Sequence, residues 1–169
     1  MYYAVTQQFI RTLRALDAIL GKAVAHAEAK KFDVNNFCTA RLAPDMLPFT
    51  RQVQIACDAA KRAASSISGR EAPVYPDTET TVAELRERIA KTVAYLETFT
   101  AEDFAAVRDD QIIPLPNNPA RALRAPDALL GRSVPNFFFH ATTAYALLRA
   151  GGVEVGKRDF LGDLPFLDV

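Results

Sequence analysis

The residues best suited to chemistry lie in a predicted helix that begins after Ser133. His140 follows three phenylalanines in this helix, and Asn136 precedes it by four residues. This spacing places both side chains on one face of the helix, one turn apart. Two nitrogen or oxygen donors arranged in this way form half of a metal site. The alternative is a buried histidine that is hydrogen-bonded within the core and needs no metal.

A second predicted helix supplies candidate partners for His140. Gln54 and Asp58 are four residues apart, and Asp58 interrupts a run of small apolar residues. If Asp58 faces inward, its carboxylate meets His140 and fixes the tautomer of the imidazole. If Asp58 faces outward, it pairs with Lys61 or Arg62 on the same helix. The residue pattern leaves both orientations open.

These polar groups interrupt helices whose other inward positions are apolar. Such a cluster must either be hydrogen-bonded within the core or face a cavity. We therefore predict a pocket within the bundle that binds a small molecule. Its predicted lining is His140, Asn136, Asp58, Gln54 and Tyr145.

Two further motifs have simpler interpretations. The segment 151–157 matches the P-loop pattern G-x-x-x-x-G-K, but a P-loop needs a preceding strand and a hydroxyl after the lysine. A predicted helix precedes this segment and Arg158 follows the lysine, so we interpret it as a helix end and a surface turn. Cys57 could pair with His140 as nucleophile and base, which would require a partly exposed, electropositive setting. A small buried side chain is the simpler interpretation of Cys57.

The composition excludes several classes of protein. The 169 residues fit one domain, and 20 basic residues balance 20 acidic ones, so we expect neither nucleic acid nor a membrane as a partner. Two cysteines without a C-x-x-C pattern exclude a disulfide scaffold and a thiolate zinc site. The sequence lacks a long apolar run and the pattern of a signal peptide, so we expect a cytoplasmic protein.

Hydrophobic periodicity predicts an all-α protein, a four-helix bundle in a single domain over residues 1–169. The predicted helices cover residues 5–30, 47–68, 82–99 and 134–150. Gly69 is predicted to end the second helix, a capping box of Thr81 and Glu84 to begin the third, and Ser133 to cap the fourth. The long connection 32–48 is expected to pack down with a short helical turn. Apolar residues on both sides of the predicted turn 116–119 indicate a short hairpin between the third and fourth helices. The apolar C-terminal segment 153–169 is expected to fold back across the bundle.

Several segments together resemble a bacterial family of unknown function within the DinB/YfiT-like superfamily of proposed metalloenzymes. They are PNFFFH at 135–140, AYALLR at 144–149, GKRDFLG at 156–162, APDM at 43–46 and QVQIA at 52–56. The resemblance extends over nearly the whole chain. It implies a four-helix bundle with a long connection after the first helix, and it also implies a homodimer.

The same resemblance implies a divalent metal, zinc or nickel, held by one histidine of the second helix and an H-x-x-x-H pair of the fourth. On this pattern the second histidine of the pair falls on His140 and the first on Asn136. The histidine of the second helix has no counterpart, and Gln54 or Asp58 is the nearest candidate. The resemblance therefore implies a degenerate metal site in which His140 is the retained ligand.

Three functions remain open at the level of sequence. The first is a protein that binds a small molecule in the pocket within the bundle. The second is a metal-dependent hydrolase or thiol transferase that uses His140 and a carboxylate of the second helix. The third is a non-catalytic structural protein or one that acts as a homodimer. The sequence does not identify the ligand.

Overall fold

The computed structural model describes residues 1–115, 118–164 and 166–167. Four long helices form the body of the fold, and a two-stranded hairpin and a short fifth helix are added to it. The elements are α1 (Tyr2–Lys30), α2 (Phe49–Ser68), α3 (Val82–Glu97), β1 (Ile112–Leu115), β2 (Asn118–Arg124), α4 (Val134–Ala150) and α5 (Lys157–Leu161).

Local sequence signals account for most helix ends. At the start of α3, the Thr81 hydroxyl accepts a hydrogen bond from the Glu84 backbone amide, and the Glu84 carboxylate accepts one from the Thr81 amide. This is the capping box that the spacing predicts. Gly69 ends α2 in the left-handed conformation with φ of 79°, as glycine favours. α2 begins at Phe49 rather than at 47, because Pro48 keeps the residue before it out of the helical region.

The predicted long connection and hairpin are both present. Residues Val34–Thr39 form a 3-10 helix that buries Phe37 and Cys38 against the bundle. β1 and β2 pair in antiparallel fashion, with Ile113 opposite Leu123. The predicted turn between the strands includes Pro116 and Asn117, which lie outside the described residues.

The prediction that Ser133 caps α4 is wrong. Ser133 has helical backbone angles and continues a π-helical segment, Asp127–Ser133, directly into α4. Its hydroxyl donates to the Ala128 carbonyl at 2.9 Å, five residues back, and does not bind an amide of the next turn. Pro135 lies in the first turn of α4, as its missing amide hydrogen allows.

α2 lies at the centre of the core and contacts α1, α3 and α4. Small residues along it, Ala56, Ala60, Ala63 and Ala64, are all buried, which lets the neighbouring helices approach closely. Large apolar side chains from the other helices fill the remaining space. They include Phe9, Leu13, Leu16, Leu85, Ile89, Leu96 and Phe137.

The C-terminal segment returns to the bundle through α5, which packs against α1. Val153 and Val155 are buried. Phe166 and Leu167 are 85% and 86% exposed, so the expectation of burial fails for these two side chains. Within the described residues no helix is both long enough and apolar enough to cross a bilayer.

Candidate functional site

His140 is buried between α4 and α2 and is bonded to Gln52. Its Nδ1 lies 2.7 Å from Oε1 of Gln52, and the Gln52 side-chain amide donates to the Leu47 carbonyl at 2.9 Å. Because the amide nitrogen is committed to Leu47, the amide oxygen must accept the bond from His140. The proton of the neutral ring is therefore on Nδ1, and Nε2 carries a lone pair.

The surroundings of His140 favour its neutral form. Burial lowers the pKa of the imidazole because it disfavours the charged ring, and the positive charge of Arg51 lowers it further. At neutral pH the ring is therefore a hydrogen-bonded, uncharged side chain. The bond from Nδ1 to Gln52 is the kind of hydrogen bond that the interpretation of His140 as a core histidine requires.

The donors around His140 do not fit the metal site that the resemblance implies. The α2 residue that meets His140 is Gln52, not Gln54 or Asp58, and a carboxamide is a poor ligand for zinc or nickel. Asn136, in the position of the first histidine of the pair, is solvent-exposed. Among the residues that the structure describes, no three His, Cys, Asp or Glu side chains are grouped to hold an ion.

Asp58 and Gln54 belong to a different cluster, on the side of α2 that faces α3. Its centre is Arg88 of α3, whose side chain is 1% exposed. The Arg88 guanidinium binds Asp58 at 3.0 Å, Asp77 at 2.9 Å and Glu79 at 3.0 Å. We call these four residues, together with Arg51, Gln54 and Lys61, the Arg88 network.

The remaining members of the network tie the loop between α2 and α3 to both helices. Gln54 donates to Glu79 at 2.7 Å and accepts from Arg51 at 2.6 Å. Lys61 lies 3.1 Å from Asp58 and stacks over the ring of Tyr75. Asp58 also pairs with Arg62 at 3.3 Å, so it pairs with both residues of the outward alternative and not with His140.

Electrostatics in the network favours the charged forms. Burial opposes the charge on Arg88, but its bonds to Glu79 and its ion pair with Asp58 outweigh this and raise its pKa. Partial burial acts to raise the pKa of Asp77 as well, yet Arg51 and Arg88 hold it below its ordinary value. The Nε atom of Arg88 is buried without a hydrogen-bond partner among the described residues. The network thus has one unsatisfied donor beside several ion pairs.

An open cleft of about 350 Å³ lies between α2, β1 and the π-helical segment that leads into α4. We call it the hairpin cleft. Its walls combine apolar side chains with charged and polar ones. The apolar lining is Ile55, Ala59, Ala63, Ile113, Pro114, Leu115 and Ala128, and the polar lining is Arg51, Asp58, Arg62, Ser66, Asp77, Arg132, Ser133 and Asn136.

The structure does not gather the five predicted pocket residues around one cavity. Asp58 and Asn136 line the hairpin cleft, whereas His140 and Gln54 are buried on either side of α2. Tyr145 packs against Phe160 of α5, and its hydroxyl donates to the carbonyl of Val155, before that helix, at 3.4 Å. Five residues after His140 correspond to a rotation of about 140° around the helix, which turns Tyr145 away from the α2 side.

The two further motifs conform to their simpler interpretations. Cys57 is fully buried, and this burial raises the pKa of its thiol to about 12, the opposite of what a nucleophile requires. The segment 151–157 follows a helix rather than a strand. The Gly156 amide that could meet a phosphate donates instead to the Asp159 carboxylate at 2.7 Å.

Sequence reasoning missed Arg88, Arg51, Arg132 and Gln52. A signal for Arg88 was present, because it shares the buried phase of α3 with Leu85 and Thr92, at i, i+3 and i+7. Gln52 directly precedes the core residue Val53 in the sequence. The helical pattern therefore did not indicate that the Gln52 side chain also points inward, towards α4. The roles of Arg51 and Arg132 depend on the loop and the hairpin, whose placement the helical period does not encode.

Comparison with known proteins identifies the family and the fold of the chain. The model of a domain of unknown function, DUF1993, matches residues 1–161. This chain is similar to a DinB family member protein from Shewanella denitrificans whose crystal structure is known. The two sequences are 43% identical, and the structures match with a TM-score of 0.92 over 97% of this chain and 93% of that chain. A search of curated proteins found no match. The chain has the all-α fold of this DinB family member, and with a family model that covers nearly its whole length it belongs to the DUF1993 family.

Proposed function

We propose that this protein binds a small molecule in the hairpin cleft. The observation that carries the proposal is the cleft itself, which has a volume of about 350 Å³ and lies where two helices and the hairpin meet. Sites for small ligands are concave, often exceed roughly 300 Å³, and combine an apolar lining with a few polar groups. The hairpin cleft has a volume in this range, and it is more polar than most such sites, with eight polar or charged residues among the fifteen that line it.

The surroundings of the cleft favour a pre-formed site. Asp58 and Asp77 in its wall are fixed by Arg88, which is itself buried behind them. On the opposite wall, Ile113 of β1 is 5% exposed and anchors the hairpin in the core. A cleft whose walls are already ordered loses little conformational entropy when a ligand enters.

A blocking variant tests the proposal. A library of small soluble metabolites is screened by ligand-observed NMR against the wild type and against Ala59→Phe, which places a ring in the cleft. Ala90→Phe is the matched control, because Ala90 is exposed on α3 and does not line the cleft. We expect ligands that bind the wild type and the control but not Ala59→Phe. If every detected ligand also binds Ala59→Phe equally well, the proposal is wrong.

A homodimer is a second candidate, and the outer face of α4 favours it. Phe139 is 56% exposed and Leu42 is 46% exposed, and with Phe138 and Ala146 they line a shallow apolar depression. Exposed apolar patches often mark interfaces. Light scattering after size exclusion tests this candidate: Phe139→Asn should yield a monomer if the wild type is a dimer. A monomeric wild type at high concentration would eliminate it.

A further inference from the structure

Positive charge exceeds negative charge in and behind the hairpin cleft, and this excess indicates the class of ligand. Building on the function proposed above, we infer that the cleft takes a small organic anion, held through a carboxylate or phosphate group by Arg132. Three guanidinium groups line the cleft, those of Arg51, Arg62 and Arg132. Two carboxylates face them, those of Asp58 and Asp77.

Both carboxylates in the cleft are already neutralised by partners within the chain. Asp58 pairs with Lys61, Arg62 and Arg88, at 3.1, 3.3 and 3.0 Å. Asp77 pairs with Arg51 and Arg88. A cationic ligand would have to compete with these buried or half-buried cations, whereas an anionic ligand would not.

Arg132 is the cation of the cleft that is left for a ligand. It lies in the exposed last turn of the π-helical segment, and it makes no ion pair with a carboxylate in the part of the chain that the structure describes. Guanidinium groups bind carboxylates and phosphates through paired, charge-assisted hydrogen bonds. Asn136, one turn further along, adds a carboxamide to the same wall.

The structure contains an internal example of the proposed contact. The Asp77 carboxylate lies in the wall of the cleft between the guanidinium groups of Arg51 and Arg88, at 2.5 and 2.9 Å. The apolar lining of Ile55, Ala59 and Ala63 can receive a short carbon chain beside the anionic group. The ligand class that fits both features is a small aliphatic carboxylate or phosphate ester.

The test uses three probes that share one four-carbon skeleton and differ in charge, and a fourth that carries a phosphate. Succinate is a dianion, succinamide is neutral and 1,4-diaminobutane is a dication, while glycerol phosphate distinguishes a phosphate from a carboxylate. Binding is followed by NMR titration of the wild type, Arg132→Gln and the control Arg121→Gln. Arg121 is exposed in β2 and does not line the cleft.

We expect succinate or glycerol phosphate to bind at millimolar concentrations with shifts at Asn136 and Ala59, about tenfold more tightly than succinamide. Arg132→Gln should weaken this binding about tenfold, Arg132→Lys should restore part of it, and Arg121→Gln should leave it unchanged. Added salt should weaken it, because the guanidinium is exposed.

The outcomes separate this inference from the proposed function. If succinamide or 1,4-diaminobutane binds in the cleft as tightly as the anions, the inference is overturned and the proposed function stands. Unchanged binding of the anions to Arg132→Gln overturns it in the same way. If neither anion binds the wild type while another molecule is blocked by Ala59→Phe, the inference again fails alone. If nothing is blocked by Ala59→Phe, the proposed function fails as well.

Discussion

The two sides of α2 bury polar groups in contrasting ways. Towards α4, Gln52 and His140 form a neutral pair that requires no charge. Towards α3, the Arg88 network buries a guanidinium among three carboxylates and holds the loop between α2 and α3. The neutral pair satisfies two side chains locally, whereas the charged network joins distant segments. The ordered wall of the hairpin cleft belongs to the charged side.

The largest effect is expected from breaking the charged side at its centre. Arg88→Met leaves Asp58, Asp77 and Glu79 without their shared cation, and removing one partner of a buried ion pair costs about 3–5 kcal/mol. Urea unfolding followed by circular dichroism measures the loss. The matched control is Arg86→Met, because Arg86 pairs with Asp17 at a half-exposed site and should cost about 1 kcal/mol or less. Equal losses for the two variants would show that burial of Arg88 adds nothing.

A smaller effect is expected from breaking the neutral side. Gln52→Leu leaves the Nδ1 hydrogen of His140 and the Leu47 carbonyl without partners, at a cost of about 1–3 kcal/mol. Combining it with His140→Phe should recover part of the loss, because replacing both partners by apolar groups is nearly neutral. Gln8→Leu, which removes a longer bond to Thr12, serves as the control and should cost about 0.5 kcal/mol. The account would be contradicted if the double variant lost more free energy of unfolding than the two single variants lose when their losses are added.

The smallest effect concerns pH. The pKa of His140 is lowered in the folded chain by burial and by Arg51, so the unfolded chain takes up a proton at a higher pH than the folded one. The contribution of a neutral His140 is therefore complete above the ordinary pKa of 6.5 and is lost as the pH falls below it. Wild type should lose more stability between pH 7.5 and about 5.5 than His140→Gln, in urea titrations at each pH. Parallel pH profiles would show that His140 titrates normally.

Local patterns in the sequence were sufficient to predict the four helices and most of their ends, although α1 begins at Tyr2 and not at residue 5, and α3 ends at Glu97 and not at residue 99. The capping box at Thr81 and the glycine that ends α2 depend on neighbours within a few residues, and the two hairpin strands flank a single short turn. The structure confirms all three. Predictions near proline and the π-helical segment were less accurate. The start of α2 shifted by two residues, and Ser133 does not cap α4. The metal, the homodimer and the cytoplasmic location stay predictions.

The sequence by itself determined that the chain forms an amphipathic all-α bundle, because helical periodicity and capping are local properties. Only the tertiary structure decided which polar residue of α2 meets His140, since adjacent positions differ by about 100° around the helix and packing selects among them. It also decided that Arg88 is buried, because carboxylates from a loop and from α2 converge on it. The hairpin cleft forms because β1 and the π-helical segment pack beside α2. Contacts between residues far apart in the sequence determine this packing.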